Sequence, residues 1–199
     1  MIKKLLFFYV LSISILLNLE CKEKNALILN NYLTAIIETN YGSIEIRLFP
    51  EVAPKATENF ILLAEGGFYN NSPFHRIIPN FMIQGGDFTH GDGSGGRSIW
   101  GTDFEDEFSD TLLFDMPGRL AMANKGKNTN QSQFFITTKA TTWLNKNHSI
   151  FGQVVKGFEN VQKIESLGSS SGNISQPWFG EKIEEPIIKG IQIIPRSIP

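Results

Sequence analysis

Two long polar side chains, Arg76 and Gln84, are interleaved with the apolar residues Phe74, Ile77, Ile78, Phe81, Met82 and Ile83. Residues 74–88 read Phe-His-Arg-Ile-Ile-Pro-Asn-Phe-Met-Ile-Gln-Gly-Gly-Asp-Phe. An arginine among phenylalanine and methionine offers a permanently charged, rigid fork of donors next to a greasy surface. If Arg76, Phe81, Met82 and Gln84 share one face, they form an apolar patch rimmed by a guanidinium and a carboxamide. Such a patch suits a hydrophobic ring joined to a polar amide, as in a peptidyl-proline. The same residues also describe a buried strand pair whose arginine meets a carboxylate. Pro79-Asn80 breaks the run and Gly85-Gly86 ends it, so two short strands joined by a kink must carry these side chains.

Further along, Ser132-Gln133-Phe134-Phe135-Ile136-Thr137, Trp143-Leu144 and His148 supply more amides and rings. Phe81, Phe135 and Leu144 also suit a plain core, a lone histidine is more often structural than catalytic, and Trp143 by itself says only that a large ring needs a partly buried home. Residues 91–96, Gly-Asp-Gly-Ser-Gly-Gly, match the G-x-G-x-x-G spacing of dinucleotide-binding turns. Arg97-Ser98-Ile99-Trp100-Gly101 follows and does not begin a helix, so a surface loop is the better reading. Asp103, Glu105, Asp106, Glu107 and Asp110 form an acidic run unaccompanied by histidine or cysteine. A solvated loop and strand is expected there, with no metal.

The elements that must hold these residues are mostly short strands. Residues 33–39 and 43–49 flank Asn40-Tyr41-Gly42, a hairpin pattern. Pro54 opens a helical pattern that stacks Phe60, Leu63 and Ala64 on one side and stops at Gly66-Gly67. Strands are expected over 118–124, 132–137, 150–155 and 186–193, and a second helix over 157–167. The fold class is mainly β: a closed eight-stranded antiparallel β-barrel capped by two α-helices, because closure removes exposed edges. At 199 residues the chain is one domain plus an appendage, and its net charge of −2 gives nucleic acid or an anionic surface no obvious purchase. One cysteine cannot make an intramolecular disulfide.

The motif Phe-His-Arg-Ile-Ile-Pro-x-Phe-Met-x-Gln-Gly-Gly-Asp resembles the signature of the cyclophilin family of peptidyl-prolyl cis-trans isomerases. The resemblance runs from Thr34 to Ile193 through Met-Ala-Asn at 122–124, Asn-Thr-Asn at 128–130, Ser-Gln-Phe-Phe-Ile at 132–136, Trp143-Leu144, and His148 with Phe-Gly at 151–152. It implies that Arg76 is the catalytic guanidinium and that Phe81, Met82, Phe135, Leu144 and His148 shape a pocket for the proline ring. Gln84, Ala123, Asn124 and Gln133 would hold the peptide backbone or support Arg76, and Gly93 would line the groove. Trp143 matches the position that hydrogen-bonds cyclosporin in sensitive members. Lys125 stands where a small residue is common, a change that bears on the groove for the residue preceding proline, and Asn147 is a second local variation. By the same resemblance the substrates are proline-containing polypeptides, cyclosporin A is an inhibitor, no cofactor is needed and a monomer is expected.

Lys3-Lys4 precede an apolar run from Leu5 to Leu19, the pattern of a secretory signal peptide and short for a membrane span. Cys21 follows that run directly, in the manner of a bacterial lipoprotein signal, although Asn18-Leu19-Glu20 departs from the small residues usual before a lipidated cysteine. The expected organisation is a signal peptide over 1–20, a tether over 21–32 and an isomerase domain over 33–195. Export from a bacterial cytoplasm follows, to a periplasmic site or to a membrane held through lipidated Cys21. Two other functions fit parts of the pattern: a module that holds proline segments without turnover, and a hollow barrel around a small apolar ligand. The 16 phenylalanines argue against a hollow interior.

Overall fold

The computed structural model describes residues 32–173 and 184–195. The expected signal segment, Cys21 and all but the last residue of the tether lie outside the described residues. No helix among the described residues is long and apolar enough to cross a membrane.

Strands β1 (Tyr32–Thr39) and β2 (Gly42–Leu48) form the expected hairpin, with Thr39 opposite Gly42. Period-two alternation sets its face: Ile44, Ile46 and Leu48 are fully buried while Ser43 and Arg47 face out. Helix α1 (Pro54–Glu65) starts at its proline, whose missing N–H costs nothing in a first turn. Its next two N–H groups are satisfied from a distance, because the Glu107 carboxylate accepts from Lys55 N and Ala56 N at 3.0 and 2.9 Å. The acidic run is thus the expected solvated loop, with Asp103, Glu105 and Asp110 exposed, and it also serves as a structural strap. Asp106 accepts from Asn128 N and Asn130 Nδ2, both at 2.8 Å, and Asp103 accepts from Gln131 Nε2 at 2.6 Å. Burial pushes the Glu107 carboxyl up, against the two N–H groups that favour its anion.

Seven further strands follow: β3 (Ser72–Pro73), β4 (Arg76–Ile78), β5 (Met82–Gly85), β6 (Arg119–Met122), β7 (Phe134–Thr137), β8 (Ile150–Lys156) and β9 (Ile187–Pro195). A 3-10 turn over Thr142–Leu144 and helix α2 (Phe158–Glu165) complete the described elements. The sheet order is β3-β9-β1-β2-β8-β6-β7-β5-β4, antiparallel throughout. This corrects the expectation of a closed eight-stranded barrel: the described residues form nine strands in a curled sheet that stays open. Strands β3 and β4, at its two ends, are consecutive pieces of one stretch separated by Phe74 and His75. Groups that a closing ladder would need are already used, with Phe74 N donating to Pro186 O and Ile77 N to Gly172 O, each at 2.9 Å. Pro73 has no N–H to give.

Phe60 of α1 lies at the centre of the main core, with ring centroids 5.5 Å from Tyr69, 5.4 Å from Phe134 and 5.3 Å from Phe151. Rings thus fill the space that a ligand-holding barrel would keep hollow. A smaller cluster joins Met82, Ala121 and Phe135, from β5, β6 and β7, to Ile150 at the start of β8 and Phe114 of the loop before β6. Phe134 and Ile136 belong to the main core and Phe135 to the smaller cluster, so this run is apolar without a break because both of its faces are covered.

Candidate functional site

The smaller cluster is the floor of a cleft, and β4–β5 supply its chemistry. In the β4–β5 ladder Arg76 pairs with Gln84 and Ile78 with Met82, which puts Arg76, Met82 and Gln84 on one face. The connecting turn is tight, with Asn80 in the left-handed region at φ 58°. Glu165, at the end of α2, accepts from Asn80 N at 2.6 Å and so fixes the turn that delivers Phe81.

Arg76 meets amides rather than the carboxylate that a buried strand pair would have supplied; among the described residues it forms no ion pair. Its Nη1 donates to Gln84 Oε1 at 3.2 Å and lies 3.9 Å from Met82 Sδ, and its Cζ is 6.0 Å from the centroid of the Phe81 ring. Gln84 Nε2 donates to Gln133 Oε1 at 2.9 Å. Gln133 Nε2 in turn donates to Gly93 O at 2.9 Å and Gly95 O at 2.7 Å. Both hydrogens of Gln133 are thus committed to carbonyls, its oxygen must face Gln84, and the oxygen of Gln84 must face the guanidinium. The relay orients Arg76 from a loop.

That loop is held by Asp87, which is fully buried. Its carboxylate accepts from Thr89 N, Thr89 Oγ1, His90 N, Gly93 N and Gly95 N at 2.9–3.1 Å. Burial alone would raise this carboxyl; the converging donors outweigh it and hold the group far below the ordinary carboxylate range. Gly93 has φ +90°, and a Cβ there would come within 2.9 Å of the His75 ring, so only glycine fits at this point of the groove. The dinucleotide-like spacing therefore serves an Asp-anchored loop, as the absence of a following helix foretold.

Next to Arg76 is a cavity of about 120 Å³ lined by Arg76, Phe81, Met82, Gln84, Ala123, Asn124, Phe135, Leu144 and His148. It exceeds the ~30 Å³ share of one water and suits a small ring. His148 meets Phe135 edge to face at 5.2 Å, and its Nδ1 lies 3.0 Å from Met122 O. A carbonyl only accepts, so Nδ1 carries the hydrogen and Nε2 is left as the acceptor nitrogen. Burial pushes the pKa of His148 down, outweighing the bond to Met122 and the field of Asp106, so the ring is neutral at pH 7.

A second, more open cavity of about 250 Å³ shares Arg76, Gln84, Ala123 and Asn124 with the first, and adds Gly93, Lys125, Thr129, Gln131 and Gln133. Eleven of the twelve residues singled out for catalysis and substrate contact thus line one or other of two adjoining cavities. Trp143 is the exception: it is 59% exposed and lies outside both linings, with its ring centroid 5.9 Å from that of Phe81. Sequence reasoning missed Asp87 as the loop anchor and gave Asn147 no role. Asn147 O accepts from Asn124 Nδ2 at 2.8 Å, and its own Nδ2 donates to Trp143 O at 3.1 Å, which ties one wall to the 3-10 turn.

A mainly β fold with an apolar slot beside a fixed guanidinium defines a cleft protein suited to a ring joined to a polar amide. The model of the family described as cyclophilin type peptidyl-prolyl cis-trans isomerase/CLD matches residues 34–188, and the chain belongs to that family. It is 56% identical over 133 residues, 67% of this chain, to peptidyl-prolyl cis-trans isomerase cyp15 of Rhizopus delemar. To peptidyl-prolyl cis-trans isomerase 9 of Schizosaccharomyces pombe it is 54% identical over 148 residues, 74% of this chain. The chain spans 21% and 24% of the lengths of those two relatives. Among solved structures it is similar to a Cryptosporidium parvum cyclophilin type peptidyl-prolyl cis-trans isomerase determined in the presence of the dipeptide Ala-Pro. That likeness has a TM-score of 0.73 and 42% identity, and covers 80% of this chain and 98% of the other. All three organisms are eukaryotes, so these relatives lend no support to a bacterial, exported setting.

Proposed function

We propose that this chain is a peptidyl-prolyl cis-trans isomerase in which Arg76 acts on the prolyl nitrogen. One observation carries the reading: a guanidinium oriented by an amide relay stands at the rim of an apolar slot sized for a ring. Amide resonance imposes a barrier of ~18–20 kcal/mol, and proline brings the two isomers close in energy without lowering it. Catalysis then requires only that the twisted bond be bound more tightly than either planar form. In the twisted state the prolyl nitrogen is pyramidal and regains its lone pair. Arg76 donates to that lone pair, an interaction that resonance forbids in both ground states. Phe81, Met82, Phe135, Leu144 and His148 grip the ring while the preceding carbonyl swings. The relative crystallised in the presence of Ala-Pro supports proline-containing peptides as the substrate class. A proline-isomer-limited peptide assay tests the reading: turnover with the wild type and loss of about tenfold or more with Arg76→Ala are expected. Equal rates for the two would leave a proline-binding module and remove the mechanism.

The exposed Trp143 beside Phe81 makes cyclosporin A a fitting inhibitor, with its edge open for a hydrogen bond. Titrating turnover with the drug checks this, and full activity at saturation refutes it. The basic-then-apolar leader ending at Cys21 supports export with lipid attachment at that cysteine. Mass measurement of the mature N-terminus decides: an unmodified chain that begins elsewhere rules out the lipid.

A further inference from the structure

The 250 Å³ cavity differs in character from the ring slot. Its lining, which includes Arg76, Gly93, Lys125, Thr129, Gln131 and Gln133, holds two cations and no carboxylate. Lys125 is anchored by its backbone, with its N donating to Thr129 Oγ1 at 2.8 Å, while its Nζ reaches across the opening to Ser94 O at 3.4 Å. That span is long for an N–H···O bond. The ammonium therefore keeps donors to offer and, among the described residues, has no ion-pair partner. Two carboxylates stand just outside the lining and are engaged elsewhere: Asp92 by Ser94 N and Oγ, at 2.9 and 2.6 Å, and Asp103 by Gln131. Arg76 lies in both linings, at the seam between the two cavities.

We infer that Lys125 makes this second cavity a subsite for an acidic side chain one or two residues before the proline; the inference rests on the isomerase reading above. The direction follows from the chemistry. The prolyl nitrogen that Arg76 addresses is the ring atom bonded to the preceding residue, so the segment crossing the seam past Arg76 is the one before the proline. A carboxylate there meets the Lys125 ammonium and displaces its one long contact, to Ser94 O. A lysine in its place would face two like charges.

The test uses the full-length chain and three peptide sets carrying Glu, Gln or Lys one or two residues before the proline. At about 0.01 M salt, kcat/KM for the Glu peptide should exceed that for the Gln peptide by about two- to fivefold, the range of a solvent-exposed ion pair. Near 1 M salt the preference should vanish, since the screening length falls to ~3 Å. Lys125→Gln should bring the Glu:Gln ratio to one, and Lys125→Glu should turn the preference toward Lys. A wild-type ratio of one overturns the inference, and so does a ratio that survives Lys125→Gln, which would leave Arg76 as the reader of charge. The ratio and its salt dependence in the wild type do not depend on how well any variant folds. If the wild type fails to turn over even the Gln peptide, the isomerase reading fails instead. Anisotropy binding of the same labelled peptides then judges the charge preference by the same ratios.

Discussion

Replacing Gln133 with leucine removes the middle of the relay while keeping a side chain of similar bulk. Gly93 O and Gly95 O each lose a donor, at 2.9 and 2.7 Å in the wild type. At about 0.5–1.5 kcal/mol per hydrogen bond, the fold should lose about 1–3 kcal/mol. The larger consequence is directional: Gln84 loses its fixed partner, its amide is free to turn, and an NH2 facing Arg76 would repel rather than hold it. A hydrogen bond to a charged group is worth about 1.5–3 kcal/mol, so losing the grip on the guanidinium should lower kcat/KM by roughly tenfold to a hundredfold. Urea unfolding at the assay temperature shows whether the variant is folded, and the peptide assay reads the loss. The decisive measurement is a double-mutant cycle with Arg76→Ala. If Gln133 acts through Arg76, Gln133→Leu should cost little further once the arginine is gone. The same fold drop in both backgrounds would refute the relay and make Gln133 a residue that touches the substrate independently.

Asp87→Asn should destabilise by about 1–3 kcal/mol and lower turnover with it, because one amide oxygen cannot serve five donors; urea melts and peptide assays measure both. Glu107→Ala should cost about 0.5–2 kcal/mol by exposing the first turn of α1, with kcat/KM little changed, and a drop in activity larger than the loss of folded protein would refute a purely structural role. Stability should fall with acid in two stages. His148 and His75 both have lowered pKa values in the fold, chiefly through burial, so the unfolded chain takes those protons first and stability declines as pH falls below ~6.5. Asp87, also lowered, contributes stability that is present above ~3.9 and lost below it. Melting curves from pH 3 to 8 check both stages, and His148→Gln should make the upper one shallower, leaving the share of His75.

Local chemistry made most of the scaffold legible. Pro54 marks the start of α1, Asn40-Tyr41 makes the first turn with Gly42 opening β2, and Pro79-Asn80 gives the kink between β4 and β5. The slot was legible because Arg76, Phe81, Met82 and Gln84 lie within nine residues, where the β4–β5 pairing puts Arg76, Met82 and Gln84 on one face and the turn between the strands adds Phe81. What the sequence hid is long-range. Gln84 and Gln133 are 49 residues apart, and Glu107 serves N–H groups 51 and 52 residues away, so no periodic pattern joins them. The strapping role of the acidic run stayed hidden because a carboxylate's donors are invisible until the chain folds back. Barrel closure failed as an expectation because composition counts strands but cannot say that the two outermost are one interrupted segment.

That interruption has a consequence for how the molecule meets its neighbours. Sheet margins with idle amides invite strands from other chains, and proteins usually blunt them with charges or covering loops. Here the margins lie two residues apart, one contains a proline, and Phe74 and Ile77 have already given their N–H groups to loop carbonyls. An incoming strand finds little to extend. Resistance to lateral self-association is thus lodged in the same short passage that leads into Arg76, and a substitution that loosened the one would disturb the other.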